Sequence, residues 1–101
     1  MTLKNFNEYL YERLQDPEFA VVYLQDALDE SVEEFLIALR KYVQANGGVT
    51  QCAEKTQLAR EAIYKMLSEQ GNPELRSVYA ILKSLGLTLT IARKEYASIV
   101  G

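Results

Sequence analysis

The chain contains no histidine and a single cysteine, Cys52. Without histidine there is no Ser-His-Asp or Cys-His nucleophilic set. One thiolate with no imidazole cannot build a metal site, so neither a metal nor a cofactor is expected. An internal disulfide is impossible. No apolar run is long enough to span a bilayer. No basic-then-apolar leader opens the sequence, and no internal repeat or low-complexity stretch interrupts it. These absences count against an enzyme and a membrane protein, and they favour the cytoplasm. The many carboxylates sit on helix faces without a pocket signature and read as solvated surface charge.

What is present is ordinary globular composition. The 101 residues suit one domain, with 49% hydrophobic and 25% charged residues. The net charge of -3 hides a division along the chain. Residues 1–39 carry two basic side chains (Lys4 and Arg13) against nine acidic ones, whereas residues 40–101 carry nine basic against five acidic. Two surfaces with different partners would produce this pattern, as would chance clustering.

Helical periodicity dominates, and an all-α bundle of about five to six helices is expected. Phe6, Tyr9, Leu10 and Leu14 recur at helical spacing. Asp16-Pro17 reads as a cap followed by proline at the first helical position. The helix after it carries Phe19, Tyr23 and Ala27 in one row and Ala20, Leu24 and Leu28 beside it. Ser31 and Glu34 form a capping box, followed by a buried stripe of Val32, Phe35, Leu36, Leu39 and Val43. Asn46-Gly47-Gly48 ends that helix. Thr50 then caps a short helix running to about Thr56, and another spans Arg60 to Leu67. Asn72-Pro73 restarts the chain as a helix burying Leu75, Val78, Leu82 and Leu85 and stopping at Gly86. Leu87-Thr88-Leu89-Thr90-Ile91 alternates strictly, which predicts a short C-terminal β-strand paired with another protomer or a protein partner, with an extended tail packed on the helices as the alternative. The single domain thus divides into an N-terminal helical extension (1–30), a core (31–86) and a strand with tail (87–101).

The stretch from Val49 to Leu67 has the layout of a helix-turn-helix. Ala53 is the small residue that lets two helices cross closely, Leu58 plugs the turn and Ile63 anchors the second helix. At 100° per residue, Arg60, Glu61, Tyr64, Lys65 and Ser68 fall on one side of that helix, with Ala62, Ile63, Met66 and Leu67 on the other. A recognition helix presents such early polar residues to base edges in the major groove. Arg60 suits guanine, Glu61 suits cytosine, and Tyr64 and Lys65 suit bases or phosphates. An ordinary amphipathic helix with a solvated face is the alternative. Thr50 and Gln51, at the start of the first helix, and Asn72, at the last helix start, are candidate phosphate contacts. For Thr50 and Asn72 simple capping explains the residue equally well.

Several segments resemble the HigA-like, Xre-type group of bacterial addiction-module antidote proteins. The match is closest from Arg60-Glu61-Ala62-Ile63-Tyr64-Lys65-Met66-Leu67-Ser68 through Gly71-Asn72-Pro73. It extends to Leu85-Gly86-Leu87 and back to Asp16-Pro17-Glu18 and Tyr23-Leu24. The resemblance implies a lambda-repressor-like helix-turn-helix fold. It also implies a homodimer that represses its own operon and silences a ribonuclease toxin related to RelE and HigB. By motif position it assigns DNA reading to Gln51, Arg60, Glu61, Tyr64 and Lys65. Two positions depart from the pattern: Gln57 stands where the turn usually has glycine, and Ala59 where the second helix usually has a hydroxyl cap. The acidic segment before Leu39 is expected to face a basic toxin. The alternatives are a phage-type repressor without a toxin, and a helical protein-interaction module that has lost DNA binding.

Overall fold

Asn5, Asp16 and Ser31 each start a helix with their own side chain. The Glu8 amide donates to Asn5 Oδ1 at 2.9 Å, the Glu18 amide to Asp16 Oδ1 at 3.1 Å, and the Glu34 amide to Ser31 Oγ at 3.0 Å. These bonds satisfy amides that a helix N-terminus otherwise leaves without partners. The computed structural model describes residues 5–68 and 70–94, which form six helices. In chain order they are α1 (Phe6–Arg13), α2 (Pro17–Glu30), α3 (Val32–Ala45), α4 (Gly48–Thr56), α5 (Arg60–Met66) and α6 (Leu75–Ser84).

Helix α3 is the centre. It packs against α1, α2 and α4, and α4 in turn packs against α5 and α6. Leu36, Leu39 and Val43 on α3 are fully buried. Around them lie Leu10 and Leu14 from the first helix and its end, Ala20 and Leu24 from α2, Ile63 and Leu67 from α5 and its end, and Ile81 from α6. One core therefore joins the acidic N-terminal half to the basic remainder.

Polar bonds fix the helix ends. Asn46 Nδ2 donates to the carbonyls of Leu14 and Tyr42, both at 3.0 Å, and so ties the end of α1 to the end of α3. The Tyr42 hydroxyl donates to the Leu85 carbonyl at 3.1 Å, holding the end of α6. Gly86 adopts φ +84°, and the amides of Gly86 and Leu87 return to the Lys83 and Leu82 carbonyls at 3.1 and 2.8 Å. That is a Schellman closure, with Leu87 packed back on the core.

Several expectations need correction. Val32 and Leu75 are exposed, at 60% and 72%, although each heads an apolar stripe. Both are the first residue of their helix, where the stripe overhangs the edge of the core. Leu28 is also exposed, near the far end of α2. Thr50 is not a cap: left-handed Gly47 and Gly48 turn the chain sharply enough for α4 to begin at Gly48. Asn72 is not a cap either, because α6 begins only at Leu75 and Glu74, with φ -67° and ψ 144°, holds the cap position. The Ser31 amide already donates to the Ala27 carbonyl at 3.1 Å, so Glu34 has no free cap amide to reach. No strand occurs among the described residues: Leu87–Ile91 has no regular structure, since no neighbouring strand in the chain satisfies its backbone.

Candidate nucleic-acid interface

The expected Val49–Leu67 element is built as two short helices, α4 and α5, separated by three residues. Gln57 makes the turn. It adopts φ 64° and ψ 18°, and it is the one non-glycine residue at positive φ among the described residues. This conformation is unfavourable for an L-residue with a full side chain. Two bonds offset the strain: the Gln57 amide donates to the Ala53 carbonyl at 2.9 Å and its Nε2 to the Glu54 carbonyl at 3.0 Å. Thr56 completes the turn. Its hydroxyl donates to the Cys52 carbonyl at 2.8 Å and accepts from the Leu58 amide at 3.2 Å. The sequence reading missed Thr56, although a hydroxyl two residues before a turn's apolar plug is a recognisable signal. Leu58 and Ala53 are half-buried against the core.

Ile63 and Leu67 anchor α5 and are fully buried. Arg60, Glu61, Tyr64 and Lys65 are all exposed. Ala62, expected on the inner side, is exposed as well. It lies at the margin of the buried arc, where a short helix has no neighbour to cover it. Ser68 is half-buried and donates to the Lys65 carbonyl at 3.0 Å. Tyr64 has a partner that the sequence did not reveal: the Arg40 guanidinium of α3 lies 5.4 Å from its ring centroid. Nothing local in the sequence pairs residues on separate helices, so only tertiary packing could disclose Arg40.

Thr50 and Gln51 are exposed in the first turn of α4. The Gln51 side chain folds back over Gly47, so a Cβ at Gly47 would overlap it. Asn72 is exposed in the loop before α6 rather than at a helix start. The caps divide as the charge does. Helices α1 to α3 have side-chain caps, whereas Gly47, Ala59 and Glu74 provide none for α4 to α6. The helix starts without a side-chain cap therefore all lie in the basic half. Cys52 takes no part in this surface. It is buried on the inner face of α4, and desolvation raises its thiol above the ordinary 9.0, against weaker opposing effects of a Ser84 hydrogen bond and the Lys55 charge. The described residues contain no cluster able to hold a metal ion.

A model of the family described as "Probable addiction module antidote protein" matches residues 2–93. The chain belongs to that antidote family. An uncharacterized protein of Haemophilus influenzae is 32% identical over 96 residues, covering 94% of this chain and 96% of the relative. No solved structure matches. Antidote membership implies a toxin of some kind as partner. No described helix is long and apolar enough to cross a membrane.

Proposed function

We propose that α4 and α5 form a helix-turn-helix that reads operator DNA. The chain then acts as a homodimeric, cytoplasmic antitoxin that represses its own operon and neutralises a RelE/HigB-like ribonuclease toxin. The observation that carries the DNA role is the face of α5, where Arg60, Glu61, Tyr64 and Lys65 stand exposed opposite buried Ile63 and Leu67. Early residues of a recognition helix meet base edges, and a planar guanidinium suits guanine. The uncapped start of α4 puts free amides beside Thr50 and Gln51, which fits phosphate contact. Asn72 lies off any helix start and serves at most as a side-chain donor to phosphate. The family match supports the toxin partner, and the RelE/HigB-like identity rests on the resemblance described above.

A mobility shift with the operon's own promoter tests the reading. Binding should weaken steeply as salt rises, because phosphate contact releases counterions. Arg60→Ala should cost about 1–3 kcal/mol and relax specificity at one base position. Lys65→Ala should weaken all sequences alike. If both variants bind as the parent does, the assigned face is wrong. Gln57 in a left-handed turn and uncapped Ala59 favour a second reading, a protein-interaction module without DNA binding. A salt-dependent shift absent for every promoter fragment would select it.

A further inference from the structure

Leu87–Ile91 has no regular structure, and most of its backbone is unused. Thr88, Leu89, Thr90 and Ile91 make no backbone hydrogen bond to any described residue. The segment leaves the core progressively: Leu87 is half-buried, Leu89 exposed and Ile91 fully exposed. Beside it, Leu89 shares a shallow recess with Glu74, Leu75, Arg76 and Tyr79 of α6 and its cap. Leu75 and Tyr79 are exposed one turn apart on that helix. An apolar face thus adjoins an unpaired, strand-patterned edge, and neither includes a residue of α5.

We propose that this face binds a second copy of the chain, through an antiparallel pairing of Leu87–Ile91 centred on Leu89. The sequence of the segment is self-complementary about that residue. A two-fold axis at Leu89 sets Leu87 opposite Ile91 and Thr88 opposite Thr90. Leucine and isoleucine then share one face of the pair and threonine the other, both favourable cross-strand combinations. The exposed Ile91 is covered, and the idle backbone groups gain partners. Charge also selects a copy as the occupant. The recess contributes one carboxylate, Glu74, and one guanidinium, Arg76, with the Lys83 ammonium over the Tyr79 ring, so two copies meet across a small, mixed charge. The groove between α2 and α3 carries Asp26, Asp29, Glu30 and Glu34 against Lys41 alone, and would repel its own copy. This assigns a surface to the homodimer proposed above. It is tested without DNA, so it can fail while the DNA reading stands, and the reverse.

The test uses the full chain in sedimentation equilibrium, with melting curves as a check on folding. The parent should run at twice the one-chain mass of 11.5 kDa at micromolar concentration. Ile91→Arg should run at the one-chain mass and still melt cooperatively, since this side chain is wholly exposed, while losing the concentration-dependent part of the parent's Tm that self-association supplies. Leu89→Cys should give a disulfide-linked dimer on mild oxidation, because directly opposed Cα atoms lie about 4.5–5.5 Å apart, within disulfide reach. Thr88→Cys should not cross-link to itself, because Thr90 faces it. The buried Cys52 makes the parent a silent control. A monomeric parent would overturn the proposal. So would a dimer that survives Ile91→Arg, equal cross-linking at positions 88 and 89, or backbone protection of 87–91 that arises only with the toxin.

Discussion

At Gly71 an added Cβ would overlap the Met66 carbonyl at the end of α5. The contact is with backbone, so no side-chain movement relieves it. Gly71→Ala should destabilise the fold by about 1–3 kcal/mol in urea titration, the usual cost of overpacking. A loss within error of zero would mean that the loop shifts freely. Cys52 offers a second residue-scale prediction. Burial raises its thiol above 9.0, so the folded chain holds that proton more tightly than the unfolded chain. Stability is then fully present below pH 9 and falls as pH rises through the folded value. Burial raises Tyr42 above 10.0, and burial with Glu34 and Tyr11 does the same for Tyr23, adding a later loss. In thermal melts across pH 8 to 11, Cys52→Ala should postpone the decline until above pH 10.

Among the elements, α5 is the weakest by construction. It has seven residues, and its cap, Ala59, offers no side-chain acceptor. Tertiary anchoring by Ile63 and Leu67 supplies what local propensity does not. Ala59 already has the extended backbone of a cap, φ -68° and ψ 141°. Ala59→Ser should therefore gain about 1 kcal/mol with no rearrangement. Denaturant midpoints would show the gain, and an unchanged midpoint would mean that water already satisfies these amides fully. Helix α3 was the most legible element, since Ser31 starts it and its apolar stripe recurs regularly. Helices α4 and α6 start away from the positions that their local capping signals predict. Thr50 and Asn72 are good capping residues in isolation, but paired left-handed glycines and an extended Glu74 put the real starts elsewhere.

Across the whole molecule, charge and structure separate the surfaces while the core joins them. The acidic groove between α2 and α3 holds Asp26, Asp29, Glu30 and Glu34, whereas Arg60 and Lys65 stand on α5. Because Leu10, Leu14, Ala20 and Leu24 belong to the shared core, deleting residues 1–30 would unfold more than a partner surface. Charge reversal is the cleaner probe. Asp26→Lys with Glu30→Lys should slow toxin association about tenfold or more at low salt and leave operator binding unchanged. Association rates by stopped flow, read beside the mobility shift, would decide. An unchanged rate would place the toxin on another surface.

The sequence by itself determined the all-helical class, the side-chain caps at Asp16 and Ser31 and the polar side of α5. Each rests on local propensity or on the helical period, which neighbouring residues carry. Only the tertiary structure decided which ends of the apolar stripes are covered, that Arg40 meets Tyr64, and that Leu87–Ile91 finds no strand within its own chain. Those outcomes depend on which helix lies beside which, and no local spacing encodes that.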